Sequence, residues 1–463
     1  MTLRLLHYSD LENAYDDPTH AGRIAGLIRA VRADDGPDPI VLGSGDDTAP
    51  GVLSLVTEGG QALDLYEAIA PDAETFGNHD FDYGLDRTRE IVAASPQTWV
   101  AANVYRNGEC FGRDAGVEPW TIVERGDSRL GVFGVLDDAT PALSPAAESL
   151  SVVDPIAAAR EATAALRDRG VDAVVALSHL GMGDEELATA VDVDAVLGGH
   201  VPSERVERID DTVLTRPGSG GRVLIEVDPE DGTVDRHPVA EAPVDSALRD
   251  RLADRLSGAG LDEVVGHVAD PIERTERAVF RGESRIGNFV ADAYRWAAGT
   301  DVGLQNSGGV RDGPPLVGDV TVADLVSVVP FQEPVSVAEL TGRELRSVLA
   351  GAAEDDLQFA EPNWWHAHVS GATLVWDREN HELASVTVDG DPIDPAATYT
   401  LATTDYLFYS TDEFPALEER HRVGSLDTQY EVLADYARER GIDPSEDGRI
   451  VRTDGGESGR RPE

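Results

Sequence analysis

The chain has 463 residues, more than one hydrophobic core usually holds, so its length predicts two or three domains. It carries 87 acidic against 38 basic residues, a formal net charge of -49, and every basic residue is arginine. With no basic stripe, the sequence excludes a polymeric nucleic acid as partner. Two explanations of the charge are open: binding of polycations, or adaptation to molar salt, which screens the repulsion among carboxylates. The acidic residues are scattered along the whole sequence, which favours adaptation to salt.

Cys110 is the only cysteine, so the sequence allows neither an internal disulfide nor a metal site built on thiolates. No apolar run approaches the ~20 residues of a membrane helix. The first ten residues show no signal-peptide pattern. These observations predict a cytoplasmic protein without a membrane partner, and they leave its oligomeric state open.

Short apolar strands alternate with helices through the first half of the sequence. The pattern predicts strands at 3–8, 39–42, 73–76, 98–104, 130–136, 173–177 and 195–197. It predicts helices at 21–32, 63–69 and 155–170. This alternation is typical of an α/β domain.

Polar residues come directly after several of these strands. They are Asp10, Glu12, Asp46, Asn78, His79, His179 and His200. The carboxyl ends of strands in a layered α/β fold open onto one crevice, so residues far apart in sequence converge there. Any one of them alone could be a turn residue or a buried histidine, but the repeated placement favours a shared site. Carboxylates, an amide oxygen and imidazoles suit divalent cations such as Mn, Zn, Co, Fe or Mg.

The segment 73–84, AETFGNHDFDYG, concentrates these residue types most densely. Gly77 lets the backbone turn sharply, and the segment alone could be an ordinary turn. Asp82 follows His79 by three residues and can stiffen its imidazole. The imidazole would then meet charge that develops on a transferred phosphate or on the leaving oxygen. Asp46 is the natural bridge between two cations about 3.5–4 Å apart that clamp a phosphoester.

The polar motifs resemble, in order, those of the calcineurin-like metallophosphoesterases. The matching stretches are Asp10-Leu11-Glu12, Gly45-Asp46, Gly77-Asn78-His79-Asp80, Ser178-His179 and Gly199-His200. LLHYSDL near the start and AANV at 101–104 are similar to the 5′-nucleotidase branch of that family. The resemblance implies a four-layer α/β/β/α catalytic domain at 1–232 with two divalent metal ions.

The same resemblance implies a role for each residue. The metal ligands are Asp10, Glu12, Asp46, Asn78, His179 and His200, and Asp46 bridges the two metals. The catalytic pair is His79 and Asp82.

Two positions depart from the family's motifs, and both fall on one metal site. Glu12 stands where the family usually has histidine, and Pro202 where it usually has histidine or glutamine. Glu12 can still bind a metal, and its added charge favours a harder cation. Pro202 offers no side-chain ligand. Either Asp16, Asp47 or Glu204 replaces it, or a water molecule does, or the site is weak.

The pattern changes after residue 232. Residues 233–275 are irregular and dotted with proline, and we interpret them as a linker that carries a helix. Helices and strands resume beyond it at 284–298, 301–305, 335–340, 342–352 and 399–403. They predict a smaller mixed α/β domain at 276–452, and the polar residues 453–463 predict a disordered tail.

The stretch NSGGVR at 306–311 sets exposed backbone amides beside an arginine, which suits an anion such as phosphate. A glycine turn with a surface arginine is the alternative. Together with ESRIGN at 283–288, VVPFQEPV at 328–335 and ELTG at 339–342, however, the stretch resembles the 5′-nucleotidase C-terminal domain. The resemblance implies a substrate site made of Arg285, Asn306, Gly308, Gly309, Arg311, Phe331, Tyr406 and Asp412.

Within this implied site, the two arginines and the asparagine hold the phosphate or nearby groups, and the glycines let the backbone approach the ligand. The two aromatic rings sandwich a base, and Asp412 binds the ribose hydroxyls. Tyr406 stands where the family usually has phenylalanine, and STDEF at 410–414 replaces a glycine-rich stretch. His366 and His368 could suggest a further metal pair, but no third ligand is near in sequence, so we interpret them as structural or surface residues.

The resemblance implies a metal-dependent phosphohydrolase that releases phosphate from nucleoside 5′-monophosphates through a hydroxide held by two metals. Its partner is then a small nucleotide. One alternative is a phosphatase or phosphodiesterase for 2′,3′-cyclic nucleotides, nucleotide sugars or another organic phosphate. Another is a nucleotide-binding protein with a degenerate metal site, as Glu12 and Pro202 would allow. The complete set of Asn78, His79 and Asp82 favours an enzyme.

Overall fold

The computed structural model describes residues 3–34, 36–143, 145–259, 261–353, 357, 363–410 and 412–453. The chain divides into two compact units, Met1–Gly260 and Leu261–Glu463. Among the described residues, no helix has both the length and the apolar character needed to cross a membrane.

Two six-stranded sheets form the centre of the first unit. In spatial order the first sheet contains Val234–Pro238, Val223–Val227, Leu5–Tyr8, Ile40–Gly43, Ala73–Glu74 and Thr98–Trp99. The second contains Arg205–Ile209, Thr212–Arg216, Ala195–Gly198, Ala173–His179, Ser128–Leu136 and Trp120–Arg125. A small third sheet contains Glu109–Cys110, Val104–Arg106 and Ser151–Val152. The central strands of both large sheets run parallel.

The two large sheets pack face to face, with helices on their outer faces. Leu5 and Leu42 of the first sheet share a buried cluster with Val132 and Val175 of the second. The helices of this unit are Pro18–Arg32, Val52–Thr57, Ala62–Ile69, Leu85–Ala94, Thr140–Leu143, Pro155–Arg167, Asp184–Ala190 and Ser246–Gly258. Because alternate residues of a strand face opposite sides, each sheet buries one face on its partner and the other on helices. This arrangement confirms the predicted four-layer α/β/β/α fold.

Residues 233–275, predicted to be a linker, instead contribute elements to both units. Val234–Pro238 closes one edge of the first sheet, and Val264–Ile272 pairs with Leu316–Thr321 in the second unit. The helix Ser246–Gly258 packs on Pro18–Arg32, where its Leu248 and Leu252 are fully buried. The helix was predicted, but irregular composition concealed the two strands because each of them buries only a few apolar side chains.

The second unit is a mixed α/β structure, as predicted. Its five-stranded sheet contains, in spatial order, Ala367–Ser370, Val302–Asn306, Thr398–Thr404, Pro334–Thr341 and Arg422–Thr428. A four-stranded sheet contains Asp391–Pro392, Glu382–Val388, Ala372–Asp377 and Ile450–Thr453. The helices are Glu276–Val279, Arg285–Ala298, Val322–Val326, Gly342–Ala350 and Gln429–Arg440. Thr453 ends a strand, whereas the rest of the predicted tail, 454–463, lies outside the described residues.

Candidate active site

The ends of four strands in the first unit bring the predicted metal ligands together. Asp10 and Asp46 follow neighbouring strands of the first sheet, while His179 ends a strand of the second sheet and His200 follows the next one. Ligand atoms of Asp46, His179 and His200 all lie within 4.8 Å of one another, as do those of Asp10, Glu12 and Asp46. Asp46 belongs to both groups, which is the position of a residue that bridges two metal ions.

Four of these ligands have a left-handed backbone conformation. Their φ angles are 50° at Asp10, 46° at Glu12, 55° at Asp46 and 74° at His200. Each such residue costs roughly 1–2 kcal/mol. Hydrogen bonds between the loops offset part of this cost, because the amides of Asp10 and Glu12 donate to the carbonyls of Gly45 and Asp46 at 2.9 and 3.2 Å. Such strain persists only where the surrounding structure enforces it, and it clusters at functional sites.

The two histidines are held in forms that suit metal binding. Nδ1 of His179 donates to the carbonyl of Ser44 at 2.8 Å, which leaves Nε2 facing Asp46 Oδ2 at 3.0 Å. Burial lowers the pKa of His179, but the carboxylates of Asp46 and Asp10 outweigh burial and raise it to about 10. A bound cation would take the place of that proton. Burial and the neighbouring His179 lower the pKa of His200 to about 3, so its imidazole is neutral.

The donor set fits divalent cations on two further observations. Oδ1 of Asn78 is buried and has no hydrogen-bond partner among the described residues, as expected of an oxygen reserved for a metal. Burial raises the pKa of Asp10 to about 7, and the nearby carboxylates of Asp46 and Glu12 add to the rise, which His179 opposes only in part. A cation would supply that charge.

Asp80 holds the loop that carries Asp46, a role that its place in the sequence motif did not reveal. Its carboxylate accepts hydrogen bonds from the amides of Asp46, Gly77 and Thr48, at 3.0, 2.8 and 3.1 Å, and from the Thr48 hydroxyl at 2.7 Å. Gly77 is required for a different reason from the predicted sharp turn. A Cβ at this position would lie 2.1 Å from Asp46 Oδ1, so the glycine allows close approach.

Gly199 has the same function beside Asp10. A Cβ there would lie 2.3 Å from Ser9 Oγ and 2.8 Å from Asp10 Oδ2. The close approach lets the amide of His200 donate to Asp10 Oδ1 at 3.0 Å, while Ser9 Oγ donates to Asp10 Oδ2 at 2.5 Å. The Asp10 carboxylate is therefore oriented from both sides before any metal binds.

His79 and Asp82 form the predicted pair at the rim of this site. Nδ1 of His79 lies 2.9 Å from Asp82 Oδ2, and both side chains keep 21% of their surface exposed. The amide of His79 donates to Asp46 Oδ1 at 2.7 Å, which fixes the pair relative to the metal ligands. With Nδ1 held by the carboxylate, Nε2 is the ring nitrogen that can reach a substrate.

The residues considered as replacements for Pro202 serve other purposes. The carboxylate of Asp16 accepts from the amides that begin the helix Val52–Thr57, and that of Asp47 accepts from the amide of Leu11. Glu204 forms an ion pair with Arg236 at 2.5 Å. Among the described residues, none of the three belongs to either group of metal ligands. The site near Pro202 therefore rests on the carboxylates of Asp10, Glu12 and Asp46.

Sequence reasoning missed a second layer of buried acid behind the ligands. Glu74 is fully buried in the strand Ala73–Glu74, and the Tyr8 hydroxyl donates to its carboxylate. Burial raises the pKa of Glu74 to about 8 and that of Asp47 well above its usual range. A Cβ at Gly43 would lie 2.0 Å from Glu74 Oε1. The sequence signal that could have revealed this layer is an acidic residue inside an apolar strand.

In the second unit, three neighbouring strands bring most of the predicted substrate residues to one edge of the sheet. Val302–Asn306 runs parallel to Thr398–Thr404, and Pro334–Thr341 runs antiparallel to it. The end of the first two strands and the start of the third therefore lie at the same edge. The predicted residues that follow or precede these strands are Asn306, Gly308, Gly309, Arg311, Phe331, Tyr406 and Asp412.

Arg285 mostly serves the fold. Its guanidinium donates to the backbone carbonyls of Pro444, Asp270 and Pro271, at 2.8, 3.2 and 3.0 Å. These bonds tie the start of its helix to two distant segments of the unit. The predicted contact between Arg285 and phosphate therefore has to compete with three hydrogen bonds already made. Their distant partners could not be read from the sequence.

His366 and His368, which we interpreted from the sequence as structural or surface residues, are both buried, so a surface role is excluded. His368 is 0% and His366 is 1% exposed. The ring of His368 packs against Gly287, where a Cβ would lie 2.0 Å from its Cγ. Nε2 of His368 is 3.2 Å from Ser307 Oγ. Among the described residues, neither histidine belongs to a group that could hold a metal. Nδ1 of His366 lies 3.8 Å from Glu413 Oε1.

Comparison with known proteins agrees with this geometry. Residues 3–204 match the family profile of the calcineurin-like phosphoesterases. Residues 264–419 match that of the 5′-nucleotidase C-terminal domain. Together these matches indicate a phosphoesterase hydrolase, and the first of them is to a family that uses divalent metals. More particularly, the chain joins a calcineurin-like phosphoesterase domain to a 5′-nucleotidase C-terminal domain.

Individual relatives are distant. The trifunctional nucleotide phosphoesterase YfkN of Bacillus subtilis is 24% identical over an alignment 516 positions long. The alignment covers 97% of this chain and 35% of that protein. The chain thus spans about a third of that relative. The 5′-nucleotidase precursor of Thermus thermophilus has a TM-score of 0.85 at 24% identity, covering 98% of this chain and 99% of that one.

A sulfate thiohydrolase, SoxB of Thermus thermophilus, has a TM-score of 0.81 at 21% identity and covers 100% of this chain and 98% of its own. Proteins named for different activities therefore share this fold. The substrate has to be argued from the residues of the site.

Proposed function

We propose that the protein hydrolyses nucleoside 5′-monophosphates to nucleoside and phosphate. The observation that carries the proposal is the position of Asp46, which belongs to both groups of metal ligands and also accepts a hydrogen bond from the amide of His79. This links the metal centre to an accessible imidazole. Glycines and aromatic residues at one edge of the second unit's sheet support a nucleoside as the leaving part of the substrate.

Two divalent cations bound by these residues would activate water as the nucleophile at neutral pH and neutralise charge on the phosphate. Asp46 would contact both cations, Asn78, His179 and His200 would complete one site, and Asp10 and Glu12 the other. His79 would meet the charge that develops on the transferred phosphate or on the leaving oxygen. Asp82 orients the imidazole, and Asp80 holds the Asp46 loop in place.

A phosphate-release assay tests the proposal. The full chain is supplied separately with Mn, Co, Zn or Mg at molar KCl and offered nucleoside monophosphates, 2′,3′-cyclic nucleotides and nucleotide sugars. We expect the monophosphates to be the best substrates. Faster release from a cyclic nucleotide or a nucleotide sugar would replace the proposal with that substrate. No release with any metal would favour a nucleotide-binding protein with a degenerate centre, the reading that Glu12 and Pro202 support.

The replacement of histidine by Glu12 is expected to set the metal preference of one site. The site of Asp10, Glu12 and Asp46 offers only carboxylate oxygens, which favour Mg or Mn, whereas imidazole favours Zn or Co. Glu12→His should raise the affinity for Zn relative to Mg by about tenfold or more, measured by competition calorimetry.

Glu204→His provides the matched control for this experiment, because Glu204 also lies near Pro202 but pairs with Arg236. Its Zn to Mg ratio should equal that of the unmodified protein. An unchanged ratio in Glu12→His, or an equal change in both variants, would contradict the assignment of Glu12 as a ligand.

We also propose that the protein is adapted to high salt. At a net charge of -49, raising KCl from about 0.2 M to about 2 M shortens the screening length to a few Å and removes much of the repulsion in the folded state. The thermal midpoint should rise by several degrees, since about 1 kcal/mol corresponds to roughly 2–4 °C for domains of this size. Sucrose at equal osmolality is the control. A thermal midpoint that is constant or falls in KCl would refute the proposal. The cytoplasmic location of the protein stays a prediction.

A further inference from the structure

Glu413 is a buried acidic residue of the second unit that lies next to the predicted substrate residue Asp412. It is 2% exposed, between Asp412 and the fully buried Phe414. Phe414 has a left-handed backbone conformation with φ of 53°, and the amide of Glu413 donates to Ser410 Oγ at 2.9 Å. The turn is thus anchored on both sides of Glu413. Its position is a built feature of the fold.

The carboxylate of Glu413 fixes the side chain of Asn306. Nδ2 of Asn306 donates to Glu413 Oε2 at 2.8 Å, and Oδ1 of Asn306 accepts from Gln305 Nε2 at 2.9 Å. Exchanging the nitrogen and oxygen of this amide would lose both hydrogen bonds, so its orientation is settled. One N–H of Nδ2 is used by Glu413, and among the described residues the second has no acceptor.

The nitrogen of this amide borders open space. A Cβ placed on Gly308 would lie 3.9 Å from Asn306 Nδ2. Apart from the residues next to Gly308 in the chain, no other described residue would come within 4 Å of that Cβ. Asn306, itself 4% exposed, therefore presents an N–H donor beside the half-buried backbone of Gly308. A ligand there needs to offer an acceptor.

The charge of Glu413 limits which acceptor fits. Burial raises the pKa of Glu413 to about 7, while the hydrogen bonds from Asn306 and Tyr406 oppose a further rise. Nδ1 of His366 lies 3.8 Å from Glu413 Oε1, and ionisation of the carboxyl group is favoured as the pH rises above 7. An acceptor on Asn306 would lie only one amide group away from this carboxylate. In a buried setting a second negative charge at that distance is strongly disfavoured. A neutral ring nitrogen or hydroxyl has no such penalty.

We propose that Glu413 is a positioning residue that holds the Asn306 amide as a donor to the uncharged, nucleoside part of the substrate. The inference rests on the proposed nucleotidase function and changes the predicted role of Asn306 from phosphate to nucleoside. Binding of phosphate then does not involve the Asn306 amide.

The test uses the full, metal-loaded chain at pH 8 with adenosine as the neutral probe. Glu413→Met keeps the volume and removes the acceptor of Asn306, and should weaken adenosine binding in calorimetry by at least about tenfold. The KM for AMP should rise in proportion while kcat changes less than about twofold, because the chemistry belongs to the first unit. Inhibition by inorganic phosphate should stay unchanged. Glu413→Gln restores an acceptor oxygen and should bring adenosine binding back to within about threefold of the unmodified protein.

Two further variants keep the test decisive. Glu418→Gln removes the charge of a nearby exposed glutamate and should have no effect. Should Glu413→Met fail to fold, Asn306→Ala removes the donor itself and should show the same loss of adenosine binding.

Adenosine binding that is unchanged in Glu413→Met, or equally weak in the Met and Gln variants, would overturn this inference alone. An unmodified protein that neither binds adenosine nor hydrolyses AMP would overturn the proposed function as well.

Discussion

Asp46→Asn should abolish metal binding at both sites and lower phosphate release by at least about 10²–10³-fold, the usual loss when a central charge-stabilising group is removed. The side chain keeps its shape, but the charge shared by the two ligand groups disappears. Metal content after gel filtration and turnover of the same sample provide the two measurements. They should fall together.

Asp86→Asn is the control for this variant, because Asp86 is exposed and its ion pairs with Arg89 and Arg106 lie on the surface. It should keep both metals and full activity. An Asp46→Asn protein that retained two equivalents of metal would show that Asp46 does not bridge the centre. Loss of metal with undiminished turnover would refute a metal-dependent mechanism.

His79→Ala should lower turnover by about 10²–10⁴-fold, the range for loss of a general acid or base, without changing metal content. Among the described residues, His79 lies outside both ligand groups, so the metals do not need its side chain. Asp82→Asn should show a smaller loss, because the imidazole remains but is no longer held by a charged partner. The exposed His267→Ala provides the control and should be fully active.

A change of leaving group separates the two functions open to His79. If it protonates the leaving oxygen, the loss in His79→Ala should be much smaller for 4-nitrophenyl phosphate, whose leaving group needs no proton. If it stabilises charge on the transferred phosphate, both substrates should lose equally. Full turnover of His79→Ala with both substrates would eliminate either role.

The metal centre could be predicted from sequence because its ligands share a position at or just after the end of a predicted strand. Asp10 and Asp46 each follow a short apolar strand, and His179 ends one, so a layered α/β fold brings them to one crevice. The alternation of strands and helices predicted an α/β domain, and the family resemblance implied its four layers. Neither inference needed any knowledge of which strands pair.

Roles that depend on distant partners could not be predicted in this way. Asp80 belongs to a recognised motif, yet its function is visible only when the amides of Asp46 and Thr48 lie against it. Glu413 stands in a stretch that departs from its family's pattern, and its contact with Asn306 spans 107 positions. Arg285 illustrates the converse, since matching a motif did not reveal that carbonyls of the fold engage its donors.

The helix Ser246–Gly258 determines where the first unit can be separated from the second. Pro243 and Asp245 press against Gly26 so closely that a Cβ there would lie 1.8 Å from the Pro243 carbonyl oxygen. Removing everything after residue 232, the boundary read from composition, would strip this cover from Gly22 and Gly26. It would also remove Leu248 and Leu252 from the buried cluster that they share with Ile24 and Ile28, which favours aggregation. An isolated catalytic half should therefore extend to residue 259, and Pro18–Arg32 is best regarded as half of a helical pair.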